Sequence, residues 1–140
     1  MKQAARTARL GYELAVALGL LLVIEVSLRS GTLPATCRRL RVRVDLDSPA
    51  PPASPPPLLP RWTRTRMRAA LLATARWPAG DTCLRRCLLI GNRLRRLDPV
   101  LRIGVRRADT GAFSAHSWLE VDGRPLDVEA ADFAVLGQPT

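Results

Sequence analysis

Two neighbouring stretches decide the fold: Cys83–Leu97 (CLRRCLLIGNRLRRL) and Ser114–Glu129 (SAHSWLEVDGRPLDVE). In the first, Cys83, Cys87, Ile90, Leu94 and Leu97 recur at spacings of four, three, four and three, one face of an α-helix. Asp81 or Thr82 can cap that helix, so Cys83 heads its buried face at the N-terminal end. Free backbone N–H groups and the helix dipole favour negative charge there, the setting that activates a thiol as a nucleophile. Packing in the core is the competing role for Cys83. Cys87, a turn further in, reads as a small core residue, and Cys37 lies outside the helix. In the second stretch, Ser114–Val121 reads as a strand, Asp122-Gly123 as a two-residue hairpin turn and Arg124–Glu129 as the returning strand. Leu101–Val105 (LRIGV) is a further strand, joined to the hairpin by a polar loop, Arg106–Ala112.

The hairpin register can be worked out. With Asp122 and Gly123 in the loop, Val121 faces Arg124, Leu119 faces Leu126, Trp118 faces Asp127 and His116 faces Glu129. Opposed side chains share a face. One face then carries His116, Trp118, Glu120, Asp127 and Glu129. The other, with Ala115, Ser117, Leu119, Val121, Leu126 and Val128, is the core face. Asp127 is a diagonal neighbour of His116, about 7–8 Å away between backbones, and Glu129 is also within reach. Asp122 lies about 20 Å along the strand and cannot orient His116. A cysteine at a helix start, the chain's single histidine on a strand and a carboxylate on the next strand are the parts of a thiol-nucleophile triad.

Upstream, Arg38–Asp47 alternates between Leu40, Val42, Val44, Leu46 and charged residues, the pattern of a half-exposed edge strand. Such an edge could also pair with a substrate peptide. Leu14–Ile24 is an uncharged apolar run bounded by Glu13 and Glu25. At 11 residues it is shorter than the roughly 20 a bilayer span needs. It reads as a buried or partner-docking helix over Ala4–Leu28, ended by Gly31 and Pro34, with a membrane-associated or targeting role as the alternative, and no transmembrane span is expected. Thr63–Arg76 is an amphipathic helix with Met67, Leu71 and Leu72 on its apolar side, stopped by Trp77-Pro78-Ala79-Gly80. Seven prolines within Pro49–Pro60 make that segment a stiff linker. The expected organisation is therefore an N-terminal segment 1–48, a linker 49–60 and a core 61–140.

A chain of 140 residues has room for one core, and 47% apolar against 24% charged residues argues against wholesale disorder. Three cysteines, an odd number, disfavour a disulfide-stapled secreted domain and point to a reducing, cytoplasmic setting. The net charge of +10 is uneven: residues 1–107 hold 21 basic and 6 acidic side chains, residues 108–140 one basic and six acidic. A basic body attracts nucleic acid, anionic membrane or acidic peptide. No helix-turn-helix, zinc finger or aromatic RNA platform is present in the sequence, so nucleic acid is not the expected partner.

The combination of Cys83-Leu84-x-Arg86 on a leucine-rich helix, Arg102-Ile103-Gly104-Val105-Arg106 and Phe113-x-Ala115-His116-x-Trp118-x-Glu120-Val121-x-Gly123-Arg124 resembles the transglutaminase-like superfamily. Within it, the chain is most similar to the standalone leader peptidases of lasso-peptide biosynthesis, the split-off C-terminal half of the processing B protein. The resemblance implies an α+β, papain-like or transglutaminase-like core with an N-terminal helical segment. It implies a cysteine peptidase that cuts the leader from a ribosomally made precursor before macrolactam formation. Cys83 would be the nucleophile, His116 the base and Asp127 the orienting carboxylate, with no cofactor and no metal. The implied partners are the lasso precursor peptide, a small leader-recognition protein and the ATP-dependent lasso cyclase. The chain departs from the pattern at Arg95–Pro99, where a glycine-containing turn is usual, and in its proline-rich segment. The oxyanion donor is not legible beyond the N–H of Cys83. Rival readings are another amide hydrolase or acyl transferase on the same fold, a noncatalytic peptide-binding module, and a zinc site using Cys83, Cys87 and His116.

Overall fold

The computed structural model describes residues 1–49, 54–107 and 109–135. Among these described residues the architecture is mixed α+β, with four α-helices and a five-stranded sheet. Helix α1 spans Lys2–Ser30 and ends at Gly31. Its inner face, Ala17, Leu21 and Ile24, is buried against helices α3 (Thr63–Ala75) and α4 (Cys83–Arg93). The buried side of α3 is Ala69, Ala70 and Ala73. These are small residues that let α1 approach closely; Met67 packs against the core as expected and also lines a cleft described below, whereas Leu71 is exposed on that cleft. Helix α4 is the centre of the molecule: Leu88, Leu89 and Leu94 are inaccessible, and Asn92 donates through Nδ2 to the Leu40 carbonyl at 2.8 Å.

The expected strand over 38–47 forms only at 43–44: residues 38–40 close a helix and 41–42 and 45–47 are irregular. Helix α2 (Leu33–Leu40) starts at Thr32, whose hydroxyl accepts from Ala35 N, with Pro34 in its first turn. Leu33, Cys37 and Leu40 recur at helical spacing, and Leu40 also begins the strand-spaced alternation, so the two periods overlap at that residue. The cap decides for helix, and Arg41, in the left-handed region at φ 56°, ends it. Only β1 (Arg43–Val44) is extended. It pairs in parallel with Val100–Leu101 of strand β2 (Val100–Arg107).

Strand β2 is central. It runs antiparallel to β3 (Phe113–Val121) along its whole length, Gly104 lying opposite His116. On its other side β5 (Ala134–Val135) pairs with Gly104 and Val105. Strand β4 (Arg124–Pro125) returns from β3 through Asp122 and Gly123, with φ of 52° and 71°. Both are left-handed, as the twisted two-residue turn demands. The Val121–Arg124 pairing is the expected one, and Leu126 N still bonds Leu119 O at 2.8 Å. Beyond that the returning strand stops, and Val128–Asp132 forms a 3-10 turn. Val128, expected in the core, is therefore 76% exposed. His116 and Glu129 are not strand partners either.

Residues from both ends of the sequence form one hydrophobic core: Ala17, Leu21, Ile24 and Leu40 pack with Leu88, Leu101 and Leu119. The proline-rich linker lies partly outside the described residues, as does the 106–112 loop at position 108. Of the linker, 54–60 is irregular, with Leu59 against the core.

The apolar run of α1 is longer than the sequence reading allowed. By length and composition, Gln3–Ser30 is a helix long and apolar enough to cross a membrane. The two glutamates that seemed to bound the run point inward. Glu13 is buried and ion-paired with Arg93 and Arg66. Glu25 accepts from Arg85 Nε at 2.8 Å, and this bond above all holds its carboxyl below the usual range.

Candidate active site

Cys83 is the first residue of α4, and Thr82 caps the helix: its hydroxyl accepts from Arg85 N at 3.3 Å and its carbonyl from Arg86 N at 3.0 Å. The N–H groups of Cys83 and Leu84 have no acceptor within the helix. They are the donors available to a developing oxyanion beside the Cys83 sulfur. Cys83 is half-buried, and it lines a cleft of about 390 Å³ together with His116, Asp127, Glu129, Arg86 and Cys87. The apolar wall of that cleft includes Met67 and Leu71 of α3 and Ile90 of α4.

His116 sits on β3 with Nε2 2.7 Å from Asp127 Oδ2. Asp127 is fixed twice, because its Oδ1 accepts from Glu129 N at 2.9 Å and so starts the 3-10 turn. The turn that ends the expected strand is thus what swings Asp127 onto the histidine. With Nε2 held by Asp127, Nδ1 is the ring nitrogen left to exchange a proton with a thiol. The imidazole is also packed: the Phe133 ring centroid lies 4.9 Å away, and the Trp118 ring 6.2 Å away at 23° between planes.

This sheet face is not the open polar surface the alternation suggested. Trp118 and Glu120 are both buried, Trp118 beneath Ala130, Phe133 and Val135. Trp118 Nε1 donates to Glu120 Oε1 at 3.0 Å. Gly104 makes this cover possible: a Cβ there would lie 2.8 Å from Ala134 O and 2.9 Å from both Phe133 Cβ and Trp118 Cη2. Arg102, also buried, reaches Asp45 at 3.0 Å and Glu120 at 3.8 Å, tying β1 to the same layer. Phe133, Arg102 and the cleft-facing Met67 and Leu71 were not legible as site residues. Only a contact across the fold reveals them.

The three cysteines are chemically distinct. Cys87 donates to Ser117 O at 3.2 Å, and burial pushes its thiol up to about 12. Burial alone raises Cys37 to about 11. Both are held as neutral thiols, while Cys83 opens on the cleft. Among the described residues, the side chains whose ligand atoms converge within 4.8 Å in a metal-holding arrangement are His116, Asp127 and Glu129. The two cysteines of the considered zinc site are not in that group.

A capped helix carrying a cysteine, packed on a sheet that carries a His–Asp pair, agrees with the family comparison: the model of the transglutaminase-like superfamily matches residues 20–137. The chain belongs to the transglutaminase-like superfamily. This superfamily member has no match among curated proteins and none among solved structures. The superfamily usually includes cysteine protease activity, so thiol-based acyl chemistry is the functional class in which the cleft is to be understood.

Proposed function

We propose that the protein is a cysteine peptidase that removes the leader from a lasso-precursor peptide. Cys83 is the nucleophile, His116 the general base and Asp127 the orienting carboxylate. The observation that carries this reading is the 2.7 Å bond between His116 Nε2 and Asp127 Oδ2 at the wall of the cleft that Cys83 enters.

In this mechanism His116 Nδ1 takes the Cys83 proton as Sγ bonds to the scissile carbonyl carbon. The oxyanion accepts from N–H groups at the start of α4. Collapse breaks the C–N bond, and the imidazolium gives its proton to the leaving amine, the new terminus of the core peptide. Water, deprotonated by His116, then displaces Sγ from the thioester and frees the leader as a carboxylate. Asp127 keeps the proton on Nε2 and stabilises the imidazolium. Specificity for a lasso precursor rests on the sequence resemblance, as do the expected partners: a small leader-recognition protein, and the ATP-dependent lasso cyclase acting next on the freed amine. The setting is cytoplasmic.

The test is incubation of the purified protein with a leader-recognition protein and a synthetic lasso precursor, read by mass spectrometry. Wild type yields leader and core with a free amine. Cys83→Ala and His116→Ala yield neither. Cleavage lost in Cys87→Ala but retained in Cys83→Ala overturns the nucleophile assignment. Intact precursor with every variant, wild type included, overturns the substrate class.

A further inference from the structure

We propose that α1 is a membrane-contact element that lays its outer face along an anionic lipid surface. A surface helix of a globular domain normally turns charged and polar residues to water. Here the side of α1 opposite Ala17, Leu21 and Ile24 carries no charged side chain from Ala4 to Val26, a length of about 33 Å at the helical rise. Leu22 and Val26 on it are 60% exposed, Tyr12 67%, and Leu18 40%. The glutamates that would have made it polar are turned into the protein, in ion pairs with Arg93 and Arg85. Those same pairs hold the helix on its domain, so it lies along a bilayer rather than across it.

Charge selects lipid as the occupant. At its N-terminal end α1 meets α3, and Arg6, Arg9, Arg64 and Arg68 line one groove of about 480 Å³ with no acidic residue in its wall. Arg9 lies one turn before Tyr12 at the edge of the apolar strip, where a long arginine stem can sit at the hydrocarbon boundary with its guanidinium group among lipid phosphates. The net charge of +10 opposes pairing of this face with a second copy. The inference is independent of the peptidase reading, because binding is measured without substrate.

The full-length protein is floated with vesicles of phosphatidylcholine alone or mixed with phosphatidylglycerol. Binding to the mixed vesicles and loss of binding in high salt are expected. Arg6→Ser and Arg9→Ser each weaken it about five-fold, and Leu22→Glu and Val26→Glu at least about ten-fold. All four side chains are exposed, so circular dichroism and melting temperature stay at wild-type values. Failure to float with anionic vesicles overturns the proposal. So does binding that Leu22→Glu leaves unchanged, or a wild-type dimer in sedimentation that Leu22→Glu dissolves, which would assign the face to a second copy.

Discussion

Asp127→Asn tests the His–carboxylate pair most directly, because it keeps the size of the side chain and removes its charge. Asp127 has two engagements: Oδ2 with His116 Nε2 at 2.7 Å and Oδ1 with Glu129 N at 2.9 Å. An asparagine satisfies only one of them in the right sense. If its oxygen keeps the Glu129 N–H, its NH2 faces Nε2 and moves the imidazole proton to Nδ1. The nitrogen facing the thiol is then a donor and cannot take its proton. If the amide flips, the tautomer survives, but two donors oppose each other at the start of the 3-10 turn, at a cost of about 1 kcal/mol in capping. In a serine protease the equivalent charge-neutral change lowers kcat about 10⁴-fold. The Asp127 side chain is 37% exposed, so water can partly replace it. A smaller loss, about 10²-fold or about 2.7 kcal/mol in the barrier, is therefore expected. The assay is single-turnover cleavage of the precursor at saturating enzyme, with melting temperature measured beside it. Asp127→Asn should melt within a few degrees of wild type and cleave about a hundred-fold more slowly, while Glu129→Gln cleaves normally. A cleavage rate within two-fold of wild type in Asp127→Asn, or a large loss in Glu129→Gln, refutes the orienting role.

Four further outcomes follow from the geometry. Iodoacetamide at neutral pH should alkylate one thiol in the native protein, Cys83, and all three after denaturation, as read by intact mass. The raised Cys37 and Cys87 thiols stay protonated in the fold while the unfolded chain ionises near 9, so stability should fall as pH climbs above that value. Gly104→Ala places a methyl 2.8 Å from Ala134 O, and should cost about 1–3 kcal/mol in urea denaturation. It should also lower cleavage, because the displaced segment carries the Phe133 ring that packs on His116. Asp45 is lowered to about 2, first by the Ser48 hydroxyl, then by the Ser48 and Asp47 N–H groups, with Arg102 contributing. Its contribution is present above the ordinary aspartate value of 3.8 and is lost as pH falls through it toward 2. Asp45→Asn should flatten that part of the acid-denaturation curve, and an unchanged curve removes Asp45 from the account.

The parts of this fold that were legible in the sequence are those fixed by local chemistry. Asp122-Gly123 allows essentially one turn, which sets the first pairs of the hairpin. Thr82 before the Cys83 stripe fixes where α4 begins. Alternation failed wherever a tertiary contact decided the outcome. Leu40, Val42 and Val44 alternate with arginines as a strand would, yet the Thr32 cap and the burial of Cys37 and Leu40 keep the chain helical up to Leu40, and only Arg43–Val44 pairs as a strand. Trp118 and Glu120 were assigned to a polar face because the covering residues 130–135 are distant in sequence, and their docking depends on the missing side chain of Gly104. The histidine–aspartate contact is the instructive case. Asp127 was singled out as a diagonal neighbour on a continuous strand, but the strand ends at Pro125. The contact instead depends on the 3-10 turn that Asp127 itself caps. One carboxylate thus shapes the backbone with one oxygen and holds the imidazole with the other. Replacing Asp127 by alanine must therefore disturb both at once, whereas asparagine separates them.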